Sequence, residues 1–352
     1  MTNVNPQKQM SKEAMAPEKF AGTKRLDRFM EVWRRFRRNP LAVAGLVMIL
    51  LMGVLAISAD WIAPGTEFDP GYDIQNLPAR LVRPGDTFNT GFLDDYGNPI
   101  YESVGIFGTD HLGRDMLGRI AHGSRITLLV AFLVVTISMT LGVTLGAIAG
   151  FYGGVSDNII MRVIDVILAM PTILLAITIA AALDPGLHTI IIAVGVGAIP
   201  GYARITRAQV LTLRDQEFVE AARSVGANDF RLIRKHILPN CMAPIIVEAT
   251  MGLAGAIASA AALSFLGIGL APPTPEWGAM LADGRRFMLA GEWHMTVFPG
   301  VAIAMIIFSL NMMGDGLRDA FDPRLRSAGF SKKRFKRQLQ AIEAKKAGAK
   351  EV

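Results

Sequence analysis

Few residues of this 352-residue chain are placed to do chemistry. No GxxxxGK[ST] run is present to cradle nucleotide phosphates, and neither HExxH nor GxSxG supplies a zinc site or an activated serine. Five histidines (His111, His122, His188, His236 and His294) lack ligand spacing and read as surface or interfacial residues. The single cysteine, Cys241, excludes an intrachain disulfide and a CxxC metal site. Charge does collect in three places. Asp110, Arg114 and Asp115 stand together in a polar stretch, and Arg162 lies one helical turn before Asp165, just inside an apolar run that also holds Pro171. On one helix face Arg162 and Asp165 are spaced to pair at a membrane boundary, a structural or gating role. The third place is the polar stretch 215–240.

That stretch is too polar to cross a membrane and too regular for a slack loop. From Glu217 to Val225 the spacing is helical, with Phe218, Ala221, Ala222 and Val225 on one face. Gly226 supplies a left-handed residue to end the helix. Asn228 or Asp229 then caps a second short helix carrying Phe230, Ile233 and Ile237, which Pro239 is expected to stop. The outcome is a helix–turn–helix with a small, flat Ala-Ala surface, suited to a partner's groove.

The elements that must hold these residues follow from the uneven hydropathy. The chain is 51% hydrophobic and 19% charged, with a mean hydropathy of +0.37. Long runs are almost free of charge, and runs of about 18 or more apolar residues cross a bilayer as helices. Such runs cover 41–63, 126–149, 159–183, 187–203, 243–270 and 295–313. The expected fold class is therefore an all-α polytopic membrane protein with six transmembrane helices. About forty polar residues precede the first run, which reads as no signal peptide. With six spans both termini share a side, and 29 of the 36 lysines and arginines fall on that side. The positive-inside rule makes it cytoplasmic. Segments 1–40 and 314–352 are then basic cytoplasmic ends, 64–125 is periplasmic, and 126–313 is a core whose loop 204–240 faces the cytoplasm. Topology and contact with anionic membrane lipids account for the net charge of +6, and no nucleic-acid ligand is needed. Gly142, Gly146 and Gly150, with Gly197 and Gly201, recur at four-residue spacing, which serves either simple helix packing or a moving helix interface.

Glu220-Ala221-Ala222, Gly226 separated by nine residues from the His236-Ile237-Leu238-Pro239-Asn240 segment, and that segment itself resemble the EAA loop of binding-protein-dependent ABC importer permeases. His236 stands where an isoleucine is common, a form similar to the peptide-transporting branch. The blocks Gly108-Thr109-Asp110 through Gly113-Arg114-Asp115, Met170-Pro171, Ser264-Phe265-Leu266-Gly267, Pro275-Glu276-Trp277-Gly278 and Asp322-Pro323-Arg324-Leu325 are similar to C-type permeases of dipeptide and oligopeptide importers. The resemblance covers most of 28–326, leaving out the tails and an insertion near 66–104 whose fold the sequence leaves open.

The resemblance implies a type I ABC importer permease fold and a non-catalytic subunit of the bacterial inner membrane, forming half of a peptide pore. Its partners would be a homologous second permease in a heterodimer, two ATP-binding subunits, and a periplasmic or lipid-anchored substrate-binding protein. The chain would bind no cofactor, while the ATPase subunits use ATP and Mg. Glu220, Ala221, Ala222, Gly226, His236, Leu238 and Pro239 would form the ATPase-coupling loop. Asp110, Arg114 and Asp115 would be either a salt-bridged periplasmic cap or a surface near the docked binding protein. Nickel or another small solute is an alternative cargo, and an ion-driven secondary transporter is a more distant alternative. No substrate-contact residue and no metal site is assigned.

Overall fold

The computed structural model describes residues 30–65, 70–93, 99–103 and 105–322. Most of the basic N-terminal segment and of the basic tail lies outside them. Those described fall into two units, 30–43 with 315–322, and 44–314. In the smaller unit a helical stretch over 30–36 is held by an Arg35–Glu31 ion pair of 2.6 Å and a stacked Trp33–Phe36 pair. Phe36 and Ala42 are buried, and Gly316 lies against Ala42 where no Cβ would fit.

The helices are α1 (Pro40–Ile57), α2 (Ala59–Ile62), α3 (Met116–Tyr152), α4 (Gly154–Leu168), α5 (Thr172–Ala181), α6 (Leu187–Leu213) and α7 (Glu217–Ser224). They continue with α8 (Asp229–Arg231), α9 (Leu238–Phe265), α10 (Trp277–Arg285) and α11 (His294–Phe321). Five of the continuous helical stretches are long and apolar enough to cross a membrane, and α4 with α5 makes a sixth if taken as one bent span. The helical, multi-span architecture is thus the expected one. An antiparallel ribbon, β1 (Thr87–Leu93) with β2 (Pro99–Ser103), is the exception to an all-α fold and occupies the insertion.

Helix ends depart from the apolar runs in instructive ways. The α3 helix starts at Met116, ten residues before the run at 126, because the Asp115 carboxylate caps it by accepting from Gly118 N at 2.6 Å. The run at 159–183 is not one straight helix. It bends by 90° between α4 and α5, where Pro171 sits in extended backbone. Proline lacks the N–H that the ladder needs and drives the preceding residue away from helical geometry. Beyond its apolar run α6 continues for ten residues, to Leu213.

The core of the larger unit gathers Val130 and Val134 of α3, Ala176 of α5, Ile190 and Val194 of α6, Ile257 of α9, Trp277 of α10 and Ile306 of α11. Its tightest seam is α3 against α6. A Cβ on Gly142 would stand 2.6 Å from that of Tyr202, and one on Gly150 2.9 Å from the Arg207 carbonyl. One on Gly146 would meet the Ala203 carbonyl. The three glycines therefore let two backbones touch, which is how helices gain packing energy where lipid supplies no hydrophobic drive. Gly197 and Gly201 are not part of that seam, for they face Thr172 and Glu248 respectively.

Candidate functional site

The 214–240 segment is built as a clamped bracket. Arg214 donates to the Gly150 carbonyl at 3.0 Å, tying the end of α6 to the end of α3. Acidic Glu217 and Glu220 lie in the first turn of α7 and Arg223 in its last, each on the favourable end of the helix dipole. The buried residues of α7 are Val219 and Ala222, which join Ala147, Phe151, Val210, Leu232, Ile237, Cys241 and Ile245 in one apolar cluster. Gly226 has φ +84°, with Gly226 N bonded to the Arg223 carbonyl and Ala227 N to the Ala222 carbonyl. This pair of bonds is a Schellman ending, for which a left-handed residue is required. No atom stands within 4 Å of where a Gly226 side chain would begin, so backbone conformation alone selects glycine there.

Several expectations about this segment need correcting. Phe218, Ala221 and Val225 do not share the inward face with Ala222. They are exposed, as is Phe230. Val219, which the apolar spacing passed over, takes the anchoring role, since α7 is only eight residues long and its inward stripe is the Val219–Ala222 pair. Asn228, and not Asp229, caps the next helix, accepting from Arg231 N at 2.9 Å. Pro239 does not stop that helix. A π-helical turn over Leu232–Ile237 carries the chain straight into α9, with Leu238 N bonded to the Ile233 carbonyl. A π-turn removes the bond and the contact that proline would otherwise violate, so Pro239 sits in the first turn of α9. Half-buried His236 offers its carbonyl to Asn240 Nδ2 at 2.7 Å, and Arg234 lies over the Phe230 ring.

The second constellation is a buried ionic knot ahead of α3. Asp110 and Arg114 are each 3% exposed, and the Arg114 Nε–Asp110 Oδ2 distance is 2.6 Å. Arg114 Nη1 reaches Asp73 at 3.0 Å, and Arg119 Nε stands 3.6 Å from Asp110. Asp110 Oδ1 also accepts from the backbone of Leu112 and Arg114. Arg119 donates to the carbonyls of Tyr72 and Pro273. Asp115 is not part of the knot. It caps α3, and burial pushes its carboxyl above the usual carboxylate range despite the backbone N–H groups of Gly118 and Leu117. Nearby, His294 is fully buried, with Nε2 2.8 Å from the Thr109 carbonyl. Glu276 caps α10 through Gly278 N and Ala279 N, and burial raises its carboxyl as well. Asp73 was unmarked in the sequence because it lies 37 residues before Asp110, with no local pattern joining them.

The third expectation fails. Asp165 pairs with Arg204 of α6 at 2.7 Å, not with Arg162. Arg162 is exposed and makes no ion pair among the described residues. Asp157, five residues before Arg162, binds Arg207 in a two-pronged pair at 2.5 and 2.6 Å. Two acids on α4 thus meet two arginines on α6, and an arginine's reach across a helix interface replaces the local pairing. Among the described residues no group of three or more His, Cys, Asp or Glu could hold a metal ion. One further acid escaped notice in the sequence. Glu248 lies within the fifth apolar run and is legible as a charge in an otherwise uncharged stretch.

Comparison with known proteins covers nearly all of the region just described. The family described as binding-protein-dependent transport system inner membrane component matches residues 142–327, and that described as the N-terminal TM domain of oligopeptide transport permease C matches 28–79. The chain is 44% identical to the dipeptide transport system permease protein DppC of Haemophilus influenzae, over 84% of its own length and 95% of the relative's. It is 42% identical to the di/tripeptide transport system permease protein DppC of Pseudomonas aeruginosa, over 85% and 93% respectively. The glutathione transport system permease protein GsiD of Escherichia coli is 43% identical over 84% and 90%. Among solved structures, a chain of the inward-facing MetNI methionine ABC transporter aligns with 59% of this chain and 98% of its own, at a TM-score of 0.48 and 19% identity.

Proposed function

The chain belongs to the family of binding-protein-dependent transport system inner membrane components, and from that membership we propose that it forms half of the pore of an ATP-driven peptide importer. It is a multi-pass, non-catalytic protein of the inner membrane. Membership implies ATPase and substrate-binding protein partners in general. The finer assembly is a heterodimer with a related second permease, two ATP-binding subunits that use ATP and Mg, and a binding protein that delivers peptide. Both termini and the 204–240 segment face the cytoplasm in this reading, as the basic residues require.

One observation carries the cargo assignment. Relatives at 42–44% identity, spanning 84–85% of this chain, are named for dipeptides, di/tripeptides and glutathione, all short peptides. The bracket geometry supports the coupling role. Ala221, Phe218, Val225 and Phe230 present an apolar outer surface, while Val219 and Ala222 pin α7 to α3, α6 and α9. When the ATPase subunits close on nucleotide, a push on the outer surface is carried by that cluster to three spans together. Coupling is then a two-state repacking biased from outside the chain.

The test is affinity purification of this chain in mild detergent from its native membranes, followed by reconstitution in liposomes. Recovery of a second permease and ATPase subunits, with ATP-dependent uptake of radiolabelled dipeptide, is expected. A chain that came out alone and moved solute down an ion gradient without ATP would sink the proposal.

A further inference from the structure

One carboxylate, Glu248, lies inside an apolar run, five residues past its start at 243. Glu248 is about 15 Å along α9 from Leu238. It makes no hydrogen bond or ion pair among the described residues. Its Oε1 lies over Gly201, where an added Cβ would be 3.3 Å away, two residues before the end of the apolar run of α6 at 203. Tyr202 beside it is buried, with a hydroxyl oxygen that has no partner, and Thr206 Oγ1 one turn further is equally orphaned. The basic residues of α6 that follow are already engaged, Arg204 by Asp165 and Arg207 by Asp157. The α9 helix carries no lysine or arginine.

An ionisable group inside a spanning run does not rest against lipid tails. Such groups face a bundle interior or a water-filled cavity and meet a cation there. Glu248 is partly exposed in the single chain, and the missing side chain of Gly201 lets its carboxylate rest close against α6. From this juxtaposition we propose that Glu248 lines an aqueous pathway on the α6–α9 face and receives the α-ammonium group of the peptide during passage. The assignment rests on the peptide-import reading above and adds a contact made by the pore wall itself. Glu248 anchors a feature that all unblocked peptides share, their positive amino end.

The complete transporter in proteoliposomes tests this with radiolabelled dialanine as probe. Glu248→Gln should raise the KM for uptake by about tenfold or more, the loss of one charge-assisted contact, and Glu248→Asp should restore most of it. In a Cys241→Ser background, Glu248→Cys should react with a charged methanethiosulfonate reagent, and dialanine should slow that reaction. Unchanged KM in Glu248→Gln would overturn the inference while leaving peptide import standing. So would a cysteine that never reacts, which would place residue 248 against lipid or a packed neighbour. Failure of the wild-type transporter to import dialanine or a tripeptide would bring down the import reading itself, and this assignment with it.

Discussion

The ionic knot ahead of α3 and the 214–240 bracket both combine charge with short helices, yet they handle polar groups in opposite ways. They sit near the two ends of α3, a helix of 37 residues and so about 55 Å long. In the knot, charge is turned inward. Asp110 and Arg114 are almost inaccessible, and each buried charge is matched by another or by backbone groups. In the bracket, charge and apolar side chains alike are turned outward, and two small inward residues suffice to hold α7. A satisfied buried network defines one geometry and resists change. A short helix held by a small apolar patch, with Phe218, Val225 and Phe230 exposed, is the kind of element that gains order from a neighbour. The comparison separates an end of α3 held by a buried ionic network from an end held by a small apolar patch.

Five substitutions would break or sharpen that contrast. The largest effect is expected at the knot. Arg114→Ala takes the nearest cation from buried Asp110, leaving Arg119 at 3.6 Å, and from part-buried Asp73, at a cost of about 3–5 kcal/mol. Thermal unfolding of the detergent-solubilised transporter should fall steeply, and an unchanged midpoint would show the knot to be hydrated. Next comes Ala221→Trp, which should leave that midpoint within about 0.5 kcal/mol because the site is exposed. Peptide uptake should nonetheless fall at least tenfold. Ala222→Trp, on the inward face, should instead lower stability, so equal behaviour of the two alanines would refute the bracket's two-faced character. Smaller still is Asn228→Ala, which loses a helix cap worth about 1 kcal/mol, read as earlier proteolytic cleavage between α7 and α8.

The smallest effect concerns pH near the knot. Burial raises the Glu276 carboxyl, so the native state holds its proton to higher pH than the unfolded chain does. Its contribution to stability is therefore present at low pH and lost as pH rises from the unfolded value near 4.5 through the raised folded one. Glu276→Gln should flatten the stability profile over that window. A steeper profile in the variant would reverse the sign of the assignment.

Much of this was legible beforehand. Hydropathic runs located the spanning helices because the bilayer imposes a length and an apolar surface on each of them. The Schellman ending at Gly226 and the three-glycine stripe on α3 were readable because each depends on a single local property, a left-handed backbone or a missing Cβ. The EAA-like spacing and the C-type blocks pointed to the family that the comparisons with known proteins bear out.

Other features depended on residues far apart in the chain. Asp165 chose Arg204 over Arg162 because the packing of α4 on α6 brought a second guanidinium within 2.7 Å. Asp73 entered the knot across 41 residues, and Pro239 passed into a helix because a π-turn made room for it. Residue spacing also could not say that Val219, and not Phe218, would face inward, since that depends on where the ends of α3 and α6 stand. The sequence by itself determined which segments are apolar, where the backbone must turn left-handed and which family pattern is present, all being properties of neighbours along the chain. Tertiary structure alone decided which charges meet and that Glu248 makes no hydrogen bond or ion pair among the described residues, because those depend on distances between helices that no local pattern records.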